Sequence, residues 1–187
     1  MENVAIFGAA GAIGRAVGAE LERRGVRFRV VGRSREKLDQ AFGKMAQAEI
    51  FPADLSEVHS AAEAARGADT IIYCVGLPYP SHHLHPVLMR TTLEAAKLAK
   101  VARLVLPSSV YSYGVPRASS VAETHPREPH TLKGKYRKEQ EDLLMTAHAG
   151  SQHVLYEFTK EDVDRMVAEG PVHRKRNGPA RAGSQAR

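Results

Sequence analysis

The chain has few of the features that mark secreted, membrane-spanning or disulfide-stabilised proteins. Its 187 residues include one cysteine, which excludes an internal disulfide and a cysteine-rich zinc site. No run approaches the roughly 20 consecutive apolar residues that span a bilayer. The N-terminus lacks a basic stretch followed by a long apolar core, so no secretory signal is predicted. We therefore expect a cytoplasmic protein without a membrane partner.

The positive charge of the chain is concentrated near its C-terminus. The formal net charge is +6, and residues 171–187 contain five basic residues and no acidic one. The remaining 170 residues carry a net charge of only +1. Nucleic acid is therefore not expected as a partner, since that binding needs clustered cations on the folded part. Glycine, proline, arginine and alanine dominate 170–187, and this composition predicts a disordered basic tail.

Short apolar runs alternate with amphipathic stretches along residues 1–169, which we take as one domain. Ile13, Val17 and Leu21 recur every four residues and therefore share one helical face. Strict alternation of strand and helix indicates an α/β protein with a doubly wound parallel sheet of the Rossmann type, strand order 3-2-1-4-5-6. Strands are predicted at 4–7, 28–31, 49–51, 70–75, 104–106 and 153–158, with Ser34 and Ser56 as caps of the second and third helices.

A glycine-rich motif follows the first predicted strand and opens the first helix. It reads Gly8-Ala9-Ala10-Gly11-Ala12-Ile13-Gly14. In this spacing the first glycine permits a tight turn, the second lets the backbone approach a pyrophosphate, and the third lets the helix pack on the sheet. The alternative is a turn that merely needs small residues. The order of strand, motif and helix favours a dinucleotide site at Gly8, Ala10, Gly11, Ala12, Ile13 and Gly14.

The end of the second predicted strand indicates which dinucleotide binds. A site for NAD has an acidic residue there, which holds the ribose hydroxyls. This chain has Arg33 instead, nineteen residues after Gly14. Arginine suits the additional phosphate of NADP, because guanidinium and phosphate pair through two hydrogen bonds. The sequence therefore favours NADP, with NAD as the alternative cofactor and a solvated Arg33 as the alternative interpretation.

The order of these motifs resembles that of the extended or atypical short-chain dehydrogenase/reductases, the NAD-dependent epimerase/dehydratase-like family. The resemblance covers residues 3–149 and includes Pro107–Gly114, which is similar to the family's serine, tyrosine and glycine stretch after the fifth strand. It implies that Ser109 is the active-site hydroxyl. It further implies that the cofactor is contacted by Asp54 and Leu55 at the adenine and is lined by Cys74, Val75 and Gly76.

The resemblance fails at the catalytic helix, where the family requires Tyr-x-x-x-Lys for proton transfer. One alignment places Lys133 at the tyrosine position and Arg137 at the lysine position, and Tyr136 is followed four residues later by Gln140. Lys133 and Tyr136 share a helical face, so an inverted pair is one alternative. A charged, solvated helix surface is the interpretation that we favour.

Two other segments invite chemical interpretations that the sequence does not support. His82-His83-Leu84-His85 has no cysteine or acidic residue nearby to complete a tetrahedral metal site, so a surface loop is predicted and no metal is expected. Cys74 lies in a strand pattern, which predicts a small buried apolar residue rather than a nucleophile.

Two functions remain open from the sequence. The resemblance implies hydride transfer between a nicotinamide cofactor and a small molecule, either a carbonyl compound or the hydroxyl of a nucleotide sugar, with Ser109 polarising the oxygen. The alternative is a dinucleotide-binding sensor or scaffold without turnover. Weak or absent reductase activity is expected, because no phenol–ammonium pair is available for proton transfer and general acid–base groups contribute about 100- to 10,000-fold. Family members continue into a substrate-binding region after the sixth strand, so this chain is expected to be a truncated or frame-altered version of a longer relative.

Overall fold

The computed structural model describes residues 3–117, 121–122 and 124–149, and within them strands alternate with helices. The strands are β1 (Val4–Phe7), β2 (Phe28–Gly32), β3 (Ala48–Pro52), β4 (Thr70–Tyr73) and β5 (Arg103–Val105). The helices are α1 (Ala12–Arg23), α2 (Arg35–Phe42), α3 (Val58–Ala65), α4 (Leu84–Leu98) and α5 (Leu132–Ala149), with 3₁₀ turns at Tyr79–Ser81 and Val110–Ser112.

The strands form one parallel sheet in the order β3-β2-β1-β4-β5. β1 lies between β2 and β4, so Phe7 is opposite both Val31 and Tyr73. The chain therefore leaves β1 toward one side of the sheet and later returns to its other side, and ligands bind at such a reversal of strand order. The predicted α/β class and the order of the first five strands are confirmed. The predicted sixth strand (153–158) and the predicted tail (170–187) lie outside the described residues.

The sheet is buried because apolar side chains alternate between its two faces. Ala5 and Phe7 pack with α3 and α4, whereas Val4 and Ile6 pack with α1 and α2. Leu144 of α5 adds to the α3 and α4 side of the core. Helices on both faces explain the continuous apolar character of these strands. In the described part of the chain, no helix is long and apolar enough to cross a bilayer.

Of the two predicted helix caps, the structure confirms Ser34 and contradicts Ser56. Ser34 is the N-cap of α2, and its hydroxyl accepts a hydrogen bond from the Lys37 amide at 3.3 Å, as predicted. Ser56 does not cap α3, because that helix begins at Val58 after Glu57. The Ser56 hydroxyl instead donates to Asp54 Oδ1 at 2.7 Å, which keeps it in the preceding turn.

Candidate functional site

The glycine-rich loop joins β1 to α1 at the carboxyl edge of the sheet. Gly8 has φ +79°, a conformation that strongly favours glycine, and its amide donates to Val31 O at 2.9 Å. A Cβ on Gly8 would lie 2.7 Å from the Val75 backbone, and one on Gly14 would lie 2.5 Å from Ala9 O. Both glycines are therefore required for close backbone approach, Gly8 against the segment that follows β4 and Gly14 between the helix and its own loop.

The start of α1 has the properties of an anion site. Its N-cap is Gly11, which has no side chain to accept the first helical amides, and the first turn contains no acidic residue. Gly11, Ala12 and Ile13 are exposed, while the Ala10 carbonyl is engaged by Arg15 Nε at 2.9 Å. Exposed amides and the positive end of the helix dipole favour a bound phosphate. The geometry of this loop fits the pyrophosphate of a dinucleotide.

The close approach of Gly8 to the Val75 backbone can be tested by substitution. Gly8→Ala should lower the free energy of unfolding by about 1–3 kcal/mol more than Gly25→Ala. Gly25 is the matched control, because its φ is +65° but a Cβ there meets nothing within 4 Å. Urea denaturation of both variants measures the difference. Equal losses would mean that the Val75 backbone yields to the added methyl group without cost.

Arg33 and Asp54 follow β2 and β3, at the same edge of the sheet as the glycine-rich loop. The Arg33 side chain is exposed, and the structure gives it no hydrogen-bond or salt-bridge partner among the described residues. Hydrogen bonds from the amide and hydroxyl of Ser56 lower the pKa of Asp54, and the positive charge of Arg33 adds to that effect. Leu55 points the other way, into the core, where it is 7% exposed. Arg33 and Asp54 thus remain available to a ligand, whereas the Leu55 side chain is a packing residue.

The end of β4 forms the other wall of the crevice. β4 ends at Tyr73, two residues before the predicted end, although the Cys74 amide still donates to Phe7 O at 2.7 Å. Cys74 is half-buried, and burial raises the pKa of its thiol to about 12, which fits a packing residue rather than a nucleophile. Gly76 is exposed. Cys74 and Val75 therefore run alongside the glycine-rich loop, and Gly76 follows them.

Ser109 follows β5 on the same edge of the sheet. It is the N-cap of the 3₁₀ turn Val110–Ser112, and its carbonyl accepts from the Ser112 hydroxyl at 3.2 Å. Its own Oγ is buried and has no hydrogen-bond partner in the part of the chain that the structure describes. An unpaired buried hydroxyl costs free energy, so such atoms are often matched by a ligand.

The first turn of α5 packs against this 3₁₀ turn. Gly134 makes the contact possible, because a Cβ there would lie 2.4 Å from Tyr111 O. Lys133 Nζ lies 3.7 Å from the centroid of the Tyr111 ring. The Tyr136 ring instead makes an edge contact with His83, at 6.4 Å between centroids. Lys133 and Tyr136 therefore have different neighbours, which gives no support to an inverted catalytic pair.

Arg137 lies one turn after Lys133, at the position that the alignment gives to the family's lysine. Its guanidinium donates to Gln140 Oε1 at 2.7 Å and to Pro107 O at 3.4 Å, and it lies 3.4 Å from His85 Nδ1. Burial lowers the pKa of Arg137, while nearby Glu141 opposes that shift. The hydroxyl of buried Tyr73 has no hydrogen-bond partner among the described residues.

Sequence reasoning missed a buried ionic network on α5. Glu141 is 1% exposed, accepts hydrogen bonds from Ser108 Oγ and Arg127 Nη2, and lies 2.5 Å from the latter. Arg127 also pairs with Asp142 at 2.6 Å, and Asp142 pairs with Lys138 at 2.7 Å. The predicted solvated surface is therefore wrong for this face of α5. Of these contacts, only the pair between Lys138 and Asp142 has a signal in the sequence, namely their four-residue spacing on a helix.

The histidines before α4 also differ from the prediction. His82 and His85 are 8% and 3% exposed, so the predicted surface loop is wrong for both. Their rings lie 5.3 Å apart, and His82 Nε2 lies 3.0 Å from Leu77 O. Burial, with the positive charge of Arg137, lowers the pKa of His85 to about 4. Within the described ranges, no three His, Cys, Asp or Glu side chains come together as metal ligands.

A doubly wound sheet with a glycine-rich, uncapped helix start at its reversal point defines a dinucleotide-binding Rossmann domain. The chain belongs to the NAD(P)H-binding family, whose sequence model matches residues 8–166. No curated protein matches the chain. The class that the glycine motif predicts, an NAD(P)-binding protein, is confirmed.

Solved structures share this fold. The chain resembles a UDP-Glc/GlcNAc 4-epimerase from Campylobacter jejuni, with 18% identity and a TM-score of 0.74 over 83% of this chain and 52% of that one. It resembles an NAD-bound short-chain dehydrogenase/reductase superfamily protein from Agrobacterium tumefaciens, with 22% identity, a TM-score of 0.70 and 84% and 49% coverage. It also resembles a dTDP-glucose 4,6-dehydratase from Streptomyces venezuelae with NAD bound. The identity is 19% and the TM-score is 0.69, over 82% of this chain and 54% of that one.

These likenesses bear out the resemblance to the short-chain dehydrogenase/reductase and epimerase/dehydratase group at the level of fold. The chain spans about half the length of these structures. The choice between NADP and NAD, and the roles of the individual site residues, stay predictions.

Proposed function

We propose that this domain binds NADP(H) along the carboxyl edge of its sheet. The start of α1 would hold the pyrophosphate, and Arg33 would pair with the 2′-phosphate. Support for the latter comes from the exposed Arg33 side chain, which has no salt-bridge partner among the described residues. With the adenosine half near β2 and β3, the nicotinamide half extends past β4 toward Ser109.

We propose further that the nicotinamide end serves hydride transfer to a small carbonyl compound, or from the hydroxyl of a nucleotide sugar. One observation carries this proposal: the Ser109 hydroxyl is buried without a hydrogen-bond partner in the described part of the chain, at the end of the strand beside the crevice. A hydroxyl fixed there can donate to a substrate oxygen as negative charge develops on it.

A second function, cofactor binding with little or no turnover, is favoured by the side chains on α5. Lys133 stands where the alignment expects a tyrosine, and its ammonium group lies over the Tyr111 ring. Arg137, at the lysine position, donates its hydrogen bonds to Gln140 and Pro107. Neither side chain supplies a phenol for proton transfer, so we expect slow turnover.

Two measurements on the purified full chain separate these functions. Fluorescence titration should show tighter binding of NADPH than of NADH. Oxidation of NADPH is then followed with a panel of aldehydes, ketones and nucleotide sugars. Turnover that Ser109→Ala lowers while NADPH affinity is retained would support hydride transfer. Binding without turnover on any substrate would support the second function, and the absence of binding would contradict both.

A further inference from the structure

The first turn of α5, which packs on the 3₁₀ turn after Ser109, contains more positive charge than the family pattern supplies. Where the family has a neutral tyrosine and one lysine, this chain has Lys133 and Arg137, which lie one helical turn apart. No carboxylate of a described residue lies within salt-bridge distance of either one. The contacts of Lys133 and Arg137 are instead made with an aromatic ring and with neutral oxygen and nitrogen atoms.

The acidic groups of α5 already have cationic partners, and Glu139 pairs with Arg90. Glu141 pairs with Arg127, and Asp142 pairs with both Arg127 and Lys138. Two other titratable groups face Arg137, and both are neutral at pH 7: the pKa of His85 is lowered to about 4, and burial raises the pKa of the Tyr73 phenol. The charge of Arg137 is thus only partly offset, chiefly by the field of Glu141, and Lys133 has no carboxylate partner among the described residues.

The position of the Lys133 ammonium group is defined by packing rather than by a flexible ion pair. Gly134 brings the helix within contact of Tyr111, and its amide donates to Thr131 Oγ1 at 3.1 Å, which starts α5 at this point. The contact of Lys133 with the Tyr111 ring leaves the charge of the ammonium group unneutralised. Tyr111 belongs to the 3₁₀ turn that directly follows Ser109.

A fixed cation beside a nicotinamide discriminates between its oxidation states, since the oxidised ring is positively charged and the reduced ring is neutral. We propose that Lys133 makes this site selective for NADPH over NADP⁺, so that the protein responds to the ratio of the two. The inference rests on the proposed NADP(H) binding. At an effective dielectric constant of about 20, one unit charge several ångströms from another changes an affinity by roughly tenfold or more.

The test is isothermal titration of the full chain with NADPH and, separately, with NADP⁺. The wild-type protein should bind NADP⁺ roughly tenfold more weakly than NADPH. Lys133→Met keeps most of the side-chain length but removes the charge, so it should reduce that ratio at least threefold, mainly by tightening NADP⁺. Lys135→Met is the matched control, because Lys135 is exposed on the same helix, and it should leave the ratio unchanged.

Each outcome decides between the proposals. A ratio that Lys133→Met and Lys133→Gln both leave unchanged would overturn the selectivity, even if both nucleotides bind. An equal shift in Lys135→Met would do the same, because it would show a general effect of net charge. If the wild-type chain binds neither nucleotide, NADP(H) binding itself fails and the selectivity with it. Circular dichroism melts confirm that each variant is folded.

Discussion

Arg33→Asp should bind NADH more tightly than NADPH, which reverses the preference expected of the unmodified chain. The substitution removes a guanidinium that can form paired hydrogen bonds with the 2′-phosphate, and it places a carboxylate where ribose hydroxyls are held in NAD sites. A hydrogen bond to a charged group contributes about 1.5–3 kcal/mol, so NADPH affinity should fall roughly ten- to a hundredfold.

Fluorescence titration with both reduced nucleotides measures this reversal, and Arg35→Asp is the matched control. Arg35 is exposed and lies two residues after Arg33, inside the first turn of α2. Arg35→Asp therefore makes the same change of charge close to the same place. A general loss of positive charge would weaken NADPH in both variants to a similar degree. Such a result, or an unaltered preference in Arg33→Asp, would remove Arg33 from the 2′-phosphate site.

The sheet could be predicted from the sequence because its determinants are local. Apolar runs such as Val4–Phe7 and the four-residue spacing of Ile13, Val17 and Leu21 are visible without knowledge of the fold. The alternation of elements then restricts the topology to few choices. The glycine-rich loop was predictable for the same reason, since turn, helix start and anion site occupy seven consecutive residues, 8–14.

The polar side of the site could not be predicted in this way. Gln140 and Glu141 are polar residues on a helix, and periodicity assigns such residues to solvent. Both are buried, and the partners of Glu141 come from distant parts of the chain, Arg127 from fourteen residues before it and Ser108 from thirty-three. His85 is likewise buried beside Arg137, fifty-two residues away in the chain. No local pattern encodes contacts of this kind.

The contact between α5 and the turn after Ser109 is predictable in part and unpredictable in part. The alignment alone identifies Lys133 at the position of the missing tyrosine, but a charged residue on a helix surface is an equally good explanation of the sequence. Only the packing of α5 on the turn after Ser109, which needs Gly134, places the Lys133 ammonium group at Tyr111. The charge at this position is therefore a tertiary property of the fold.

Glu141→Ala should destabilise the protein more than any other single change considered for α5. It would leave Arg127, whose side chain is 19% exposed, without its most buried partner, and the Ser108 hydroxyl without its acceptor. Breaking a buried ion pair by removing one partner costs about 3–5 kcal/mol. For a chain of this size, that loss corresponds to a fall in Tm of roughly 6–20 °C, measurable by circular dichroism.

Two further variants decide whether burial of the charge is the cause. Glu141→Gln keeps the shape and one carbonyl acceptor, so its loss should be clearly smaller than that of Glu141→Ala. Glu63→Ala breaks the exposed pair between Glu63 and Arg66, whose side chains are 54% and 74% exposed. Exposed pairs contribute about 0–1 kcal/mol, so Tm should change little. If Glu141→Ala were as mild as Glu63→Ala, Arg127 must keep adequate partners in Asp142 and water, and the network would not anchor α5 to the loop that carries Ser109.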